Sequence, residues 1–283
     1  MSVVVPTFGR PDQVSTLLAS LAGCDPSPDE IVLVDGGGSK HLGDVVAKWE
    51  HRLNVTLVDS PRGASRQRNV GMERAQGDVV VFLDDDVIVE GTTFAQIAEA
   101  FADPTTIGVT GRVIEPRGRW IIAHDSKFRR WIPGGGRQGG FTRYGYPRYI
   151  HDVDEPRDVD FMPGCFMCAR TAAARAVGFD EQLALAEDED FSFRLSQVGR
   201  LRYRPELSVV HRKLGFASRE PRSFDQELAR TRRYLFRKNF EQTALARAQF
   251  RLMLIALVVH RIVNGDLQGA RGLVQAQRGR RAP

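Results

Sequence analysis

The sequence is poor in cysteine and lysine, and it has no long apolar run. Three cysteines in 283 residues do not build a disulfide framework, which points to a reducing compartment and places the chain in the cytoplasm. The longest apolar run, Leu252 to Val259, is eight residues, far short of the roughly 18–20 that cross a bilayer. Ser2 to Val5 is already strand-like and has no basic leader, so no secretory signal is read. Two phosphate-binding patterns are also missing. The run from Gly36 to Lys40, GGGSK, follows an apolar stretch but lacks the G-x-x-x-x-G-K-[ST] spacing, and nothing fits G-x-G-x-x-G opening a helix. No internal repeat or low-complexity tract stands out.

What is present is an ordinary globular composition, 42% hydrophobic, in a chain long enough for one large α/β domain with an appended helical piece. Only five of the 40 basic residues are lysine, and the net charge is +5. A basic surface favours anionic partners such as phosphates, nucleic acids or lipid headgroups and does not choose among them; no nucleic-acid partner is expected.

The first third alternates strand and helix. Apolar runs at 2–7, 30–35, 55–59 and 78–83 read as buried strands. The helices between them carry apolar residues at i, i+3, i+4 and i+7, as in Val14, Leu17, Leu18 and Leu21. Four such alternations argue for a mostly parallel, doubly wound sheet with right-handed crossovers. Ligands bind such sheets beyond the carboxyl ends of the strands. Those ends here are Thr7, Asp35, Asp59 and the trio Asp84, Asp85 and Asp86. Three adjacent carboxylates after an apolar run fit either a solvated turn or a cation site, and four polar strand ends in series favour a ligand edge.

A further helix at 92–103 and a strand at 107–113 follow, and then the pattern breaks. Residues 115–157 are rich in Gly, Arg and aromatics and read as a substrate-facing insertion with a short hairpin. Cys165 and Cys168 have C-x-x-C spacing, but without a second pair they read as buried thiols in a strand rather than zinc ligands. Four consecutive acids, Glu187 to Asp190, open a helix. Macrodipole complementarity and an Asp190–Arg194 pair account for part of that cluster, and mutual repulsion would raise the pKa of at least one member, as a general base requires. Short strands at 201–204 and 207–211 deliver His211 to a strand end. From Ser223 the chain reads as three helices with basic clusters. They suit core packing, a homodimer contact or peripheral attachment to the inner face of a membrane.

Taken in order, VVVPTFGR, IVLVDGGGS, RQRNVGMERAQGDVVVFLDDDV, PGCFMCAR, GFDEQLALAEDEDFSFRL and VVH resemble the family-2 inverting glycosyltransferases with the GT-A fold. The resemblance runs over residues 2 to 211. It implies a nucleotide-sugar-binding subdomain at 1–112, an acceptor-binding and catalytic subdomain at 113–222, and a helical extension at 223–283. It implies that Pro6, Thr7 and Asp35 hold the nucleoside, with Arg68, Asn69, Asp84 and Asp85 also on the donor. Asp86, His211 and Asp84 would hold a divalent Mn or Mg ion, Asp85 mattering least for it. Asp188 would be the catalytic base, with Gly164 and Glu187 on the acceptor side. The acceptor hydroxyl could belong to a glycan, a lipid-linked carrier or a small molecule, in cell-envelope or glycoconjugate synthesis. One departure is Gly36, where the family carries an acid or amide. Two readings compete with this one: a retaining GT-A transferase making a small sugar-acid product, and a noncatalytic nucleotide-sugar-binding module. A nucleotidyltransferase fits less well.

Overall fold

A computed structural model describes residues 1–37, 41–114, 136–150, 153–212 and 220–278. Most of the expected insertion and the basic tail beyond Arg278 lie outside the described residues. By compactness the chain divides into two units, Met1–Pro116 with Asp152–Leu214, and Arg117–His151 with Gly215–Pro283. The three-part division drawn from the sequence is one of role, which compactness does not address.

The first unit is built on a single nine-stranded sheet. Strands β1 (Ser2–Thr7), β2 (Glu30–Asp35), β3 (Val55–Asp59) and β4 (Val79–Leu83) alternate with helices α1 (Pro11–Ala22), α2 (Leu42–Ala47) and α3 (Ala64–Arg74). The four strands pair in parallel in the order β3-β2-β1-β4. This half follows from local pattern. The four apolar residues of α1 at helical spacing are all buried, each contributing roughly 1.5–3 kcal/mol, and they join Val3, Val5, Ile31 and Leu33 in the main core.

The second half adds antiparallel pairs and makes the sheet mixed. It contains β5 (Val87–Val89), α4 (Thr93–Ala100), β6 (Thr106–Ile114), β7 (Arg157–Val159), β8 (Phe166–Arg170), α5 (Thr171–Val177), α6 (Glu187–Ser196) and β9 (Arg200–His211). Strand β8 inserts antiparallel between β4 and β6, β6 runs parallel to β9, and β5 and β7 pair antiparallel with β9. The two short strands expected at 201–204 and 207–211 are one strand with a bulge. Gly111 pairs with Arg204 and Arg112 with Ser208, so three residues of β9, Pro205 among them, bow out of the ladder where proline has no N–H to give.

The second unit comprises the described loop 136–150 and helices α7 (Pro221–Asn239), α8 (Ala244–Val263) and α9 (Leu267–Arg278). In the loop, where a short hairpin was expected, Phe141 and Pro147 form an isolated antiparallel bridge. Tyr144 and Tyr146 pack into a second core with Phe236, Phe250, Met253 and Leu273. An ion pair from half-buried Arg261 Nη2 to buried Asp225 at 2.9 Å ties α8 to α7.

Candidate functional site

The carboxyl ends of β1, β2 and β4 meet along one edge, and the polar residues there are bonded to one another. Asp35 is buried and accepts from the Gly37 amide at 3.0 Å. Thr7 is buried and donates its hydroxyl to Asp85 Oδ2 at 2.8 Å. Pro6, half-buried, lies opposite Val34 in the β1–β2 ladder. A residue the motif analysis overlooked, Gln67, fastens this edge. Its amide nitrogen donates to the carbonyls of Thr7 at 2.7 Å and Val34 at 2.8 Å, and its oxygen accepts from the Gly63 amide at 3.2 Å. That arrangement accounts for Gly36: a Cβ there would stand 2.9 Å from Gln67 Oε1. Beside it the Phe8 ring packs on Gly37 with the Arg62 guanidinium 4.0 Å above its face.

The aspartate trio divides into different environments. Asp85 is buried, bonded to Thr7 and to Arg10 Nη1 at 3.0 Å, and burial outweighs those bonds to push its pKa up. Its carboxylate thus closes the trio onto β1, with Arg10, another residue the sequence reading missed. Asp84 stays accessible, while Asp86 turns toward His211, whose Nε2 lies 3.2 Å from Asp86 Oδ1. The antiparallel β5–β9 ladder produces this contact, since Val87 pairs with His211 and the Arg212 amide donates to the Asp86 carbonyl at 3.0 Å. One ligand atom from each of Asp84, Asp86 and His211 lies within 4.8 Å of the others. Two carboxylates and an imidazole at that spacing form a donor set suited to a hard or borderline divalent ion such as Mg²⁺ or Mn²⁺.

The acidic helix start is built differently. Ala186, the residue before α6, has φ 58°, a left-handed backbone that costs an alanine about 1–2 kcal/mol. Of the four acids, Asp190 is sealed inside and pairs with Arg194 at 2.7 Å, the structural role expected of that pair. Asp188 keeps a solvent-accessible edge, though protein crowds the rest of it. It accepts from the Gly164 amide at 2.8 Å and from the Glu189 amide at 2.9 Å. Burial first, then repulsion from Glu187 and Glu189, lifts its pKa to about 7 against the opposing pull of Gly164 and Arg68.

Arg68 joins the two halves. This buried guanidinium donates to Asp84 Oδ1 at 2.9 Å, to Glu187 Oε1 at 2.7 Å and to the Gly164 carbonyl at 3.2 Å. Burial opposes its charge, but Asp84 and Glu187 outweigh burial and hold it protonated above its ordinary pKa. Asn69, expected on the donor, bonds both backbone groups of Phe179, accepting from its N–H at 2.8 Å and donating to its carbonyl at 2.9 Å. The Phe179 ring in turn lies beneath Arg68, 5.6 Å from the guanidinium carbon. Cys165 and Cys168 are buried thiols in β8 and its approach, and burial pushes the Cys168 pKa far up; neither belongs to the site.

Residues 2–178 match the family described as Glycosyl transferase family 2. The pre-mycofactocin glycosyltransferase of Mycobacterium tuberculosis is 27% identical over 221 residues, which are 75% of this chain and 42% of that protein. The chain therefore spans about two fifths of the length of that relative. The poly(ribitol-phosphate) beta-N-acetylglucosaminyltransferase TarS of Staphylococcus aureus is 34% identical over 107 residues, 36% of this chain and 18% of TarS. Among solved structures, S. aureus TarS 1-349 in complex with UDP-GlcNAc has a TM-score of 0.59 at 20% identity, covering 98% of this chain and 91% of that one. The mannosyltransferase PcManGT from Pyrobaculum calidifontis, in complex with GDP-Man and Mn²⁺, has a TM-score of 0.59 at 18% identity, covering 98% and 79%. At those identities the likeness is one of fold, and the fold is GT-A.

Proposed function

The chain belongs to glycosyl transferase family 2, and from that premise we propose that it is a metal-dependent inverting glycosyltransferase. It moves a sugar from a nucleoside-diphosphate donor to an acceptor hydroxyl, with Asp188 as general base. One observation carries the reading: a single buried guanidinium, Arg68, bonds both Asp84 of the Asp84–Asp86–His211 cluster and Glu187 beside Asp188. The cation-suited cluster and the carboxyl with the raised pKa are thereby one site.

The chemistry follows from the residues. Asp84, Asp86 and His211 would hold the divalent ion, which when bound supplies positive charge to the departing diphosphate. The nucleoside lies toward Asp35, the backbone of Gly36 and Gly37, and Phe8. Asp188 accepts the proton of the acceptor hydroxyl as that oxygen bonds to the anomeric carbon and the bond from that carbon to the diphosphate oxygen breaks. A base with a pKa near 7 is about half ionised at neutral pH and still basic enough to draw the proton. The Gly164 amide and the Glu189 amide fix its two oxygens, so the carboxylate meets the hydroxyl in one orientation. A single displacement with one base inverts the anomeric centre. The acceptor class remains that of a glycan, a lipid-linked carrier or a small molecule.

The test is a thermal-shift screen of nucleoside diphosphates with and without Mn²⁺, which fixes the base and the metal requirement together. It is followed by Asp188→Asn assayed with the matching donor. Turnover should fall about 10²–10⁴-fold while the nucleotide shift persists. Full turnover in the variant removes Asp188 from the chemistry, retained anomeric configuration by NMR selects the retaining reading, and no shift with any diphosphate defeats the donor site itself.

A further inference from the structure

In the helical unit, α7 and α8 present a surface that contains none of the candidate site residues. Helix α8 is apolar on both sides. Ala246, Phe250, Met253 and Leu257 are buried in the second core, while Leu252, Ile255, Val259 and Ile262 form a ridge on the far side, 43–55% exposed. A contiguous exposed apolar ridge of this kind marks a surface that a partner or membrane covers. Next to the ridge is a cavity of about 470 Å³ lined by Arg233, Arg237, Arg247 and Arg251 together with Phe236, Phe250 and Leu254. Ile255 belongs to both ridge and cavity. None of the four arginines pairs with a carboxylate among the described residues. Arg233 donates to the Ala276 carbonyl at 3.0 Å and Arg247 to the Gln242 carbonyl at 2.7 Å, both neutral partners. Burial and then the neighbouring Arg237 push the Arg233 pKa down, the mark of crowded, uncompensated positive charge.

We propose that this face of α7 and α8 docks on a bilayer surface containing anionic phospholipid, the arginines on headgroup phosphates and the Leu252–Ile262 ridge in the acyl boundary. An anionic lipid offers both things the surface lacks, negative charge and apolar cover. A second copy of the chain fits worse, because a two-fold contact sets the same arginines against themselves. Nucleic acid would satisfy the charge and leave the ridge in water. No described helix is long and apolar enough to cross a membrane, so α8 would lie in the plane of the interface. The inference is independent of the sugar-transfer reading.

The experiment is co-sedimentation of the full chain with vesicles of phosphatidylcholine alone and of phosphatidylcholine mixed with phosphatidylglycerol. Binding is expected only to the mixed vesicles and should weaken with added salt. The triple variant Arg237→Gln, Arg247→Gln, Arg251→Gln should lower vesicle affinity about a hundredfold, at the strength typical of surface cations near anionic lipid. Leu252→Ser with Ile255→Ser should lower it with all arginines in place. Both variants alter exposed side chains, and unchanged thermal unfolding verifies that they fold. Absent or composition-independent binding overturns the proposal, as does undiminished binding by either variant. A dimer in light scattering that the serine pair separates without vesicles overturns it in favour of a second copy.

Discussion

Asp188 carries a charge that its surroundings oppose, and the pH behaviour of the protein should report it. With a folded pKa near 7 and an unfolded one about 3.9, the folded state holds the proton longer as pH rises. Stability should therefore fall between about pH 4 and pH 7, by on the order of 2 kcal/mol given the partial access of the group to water, and level off above. Denaturant midpoints for Asp188→Asn should lack this decline. The rate has the opposite slope: kcat/KM should rise with pH and reach half its plateau near 7, because the base acts unprotonated. A profile flat from pH 6 to 8 would show that another group takes the proton. The candidate acids and His211 were named from the sequence, because polar strand ends in series mark a ligand edge and the resemblance supplied their roles. Gln67 and Arg10 were not. For Gln67 the signal was indirect: ASRQRNVGMER has no apolar stripe, so a helix there must bury polar groups such as Ser65, Gln67 and Arg68 and bond them.

Strand β9 shows where local pattern stops informing. The βα units of the first half could be read residue by residue, since each strand and each helix stripe is contiguous in sequence. Whether β8 runs parallel or antiparallel is settled by distant pairing that no local period encodes. Strand β5 is three residues long, too short for a period to register, and Pro205 made β9 look like two strands. Yet β5 and the last turn of the β9 ladder set His211 beside Asp86. The bulge that restores β9 to register sits against Gly111, where a Cβ would stand 2.2 Å from the Leu207 carbonyl oxygen. Gly111→Ala should therefore displace the bulge, at about 1–3 kcal/mol for a forced core shift. It should also move the segment from Ser208 to His211, so that Mn²⁺ affinity by calorimetry falls beyond what the lost stability explains. Wild-type metal affinity in a destabilised Gly111→Ala protein would mean that His211 is held by the β5 ladder alone.

At the scale of the molecule, every candidate donor, metal and base residue lies in the sheet unit, and the arginine cavity with its apolar ridge lies in the helical one. Composition hinted at the second feature without locating it. Residues 221–278 carry eleven Lys or Arg against four Asp or Glu, but which side of α8 faced water depended on the packing of Tyr144, Phe236 and Leu273, which only the fold defines. Two surfaces with different ligands should be separable by hydrogen exchange on the intact chain. A matching nucleoside diphosphate with Mn²⁺, at about a hundredfold its Kd, stabilises the folded state by about 2.7 kcal/mol. Amides that exchange through opening of the sheet unit should then slow by up to about a hundredfold, most directly in segments covering Gly36–Gly37, Asp84–Asp86 and Glu187–Glu189. Vesicles containing phosphatidylglycerol should instead slow exchange along Arg251–Val263 and leave the aspartate segment unchanged. Nucleotide-dependent protection of α8, or lipid-dependent protection of the aspartates, would show that the two surfaces are coupled, and each ligand's affinity should then be remeasured in the presence of the other.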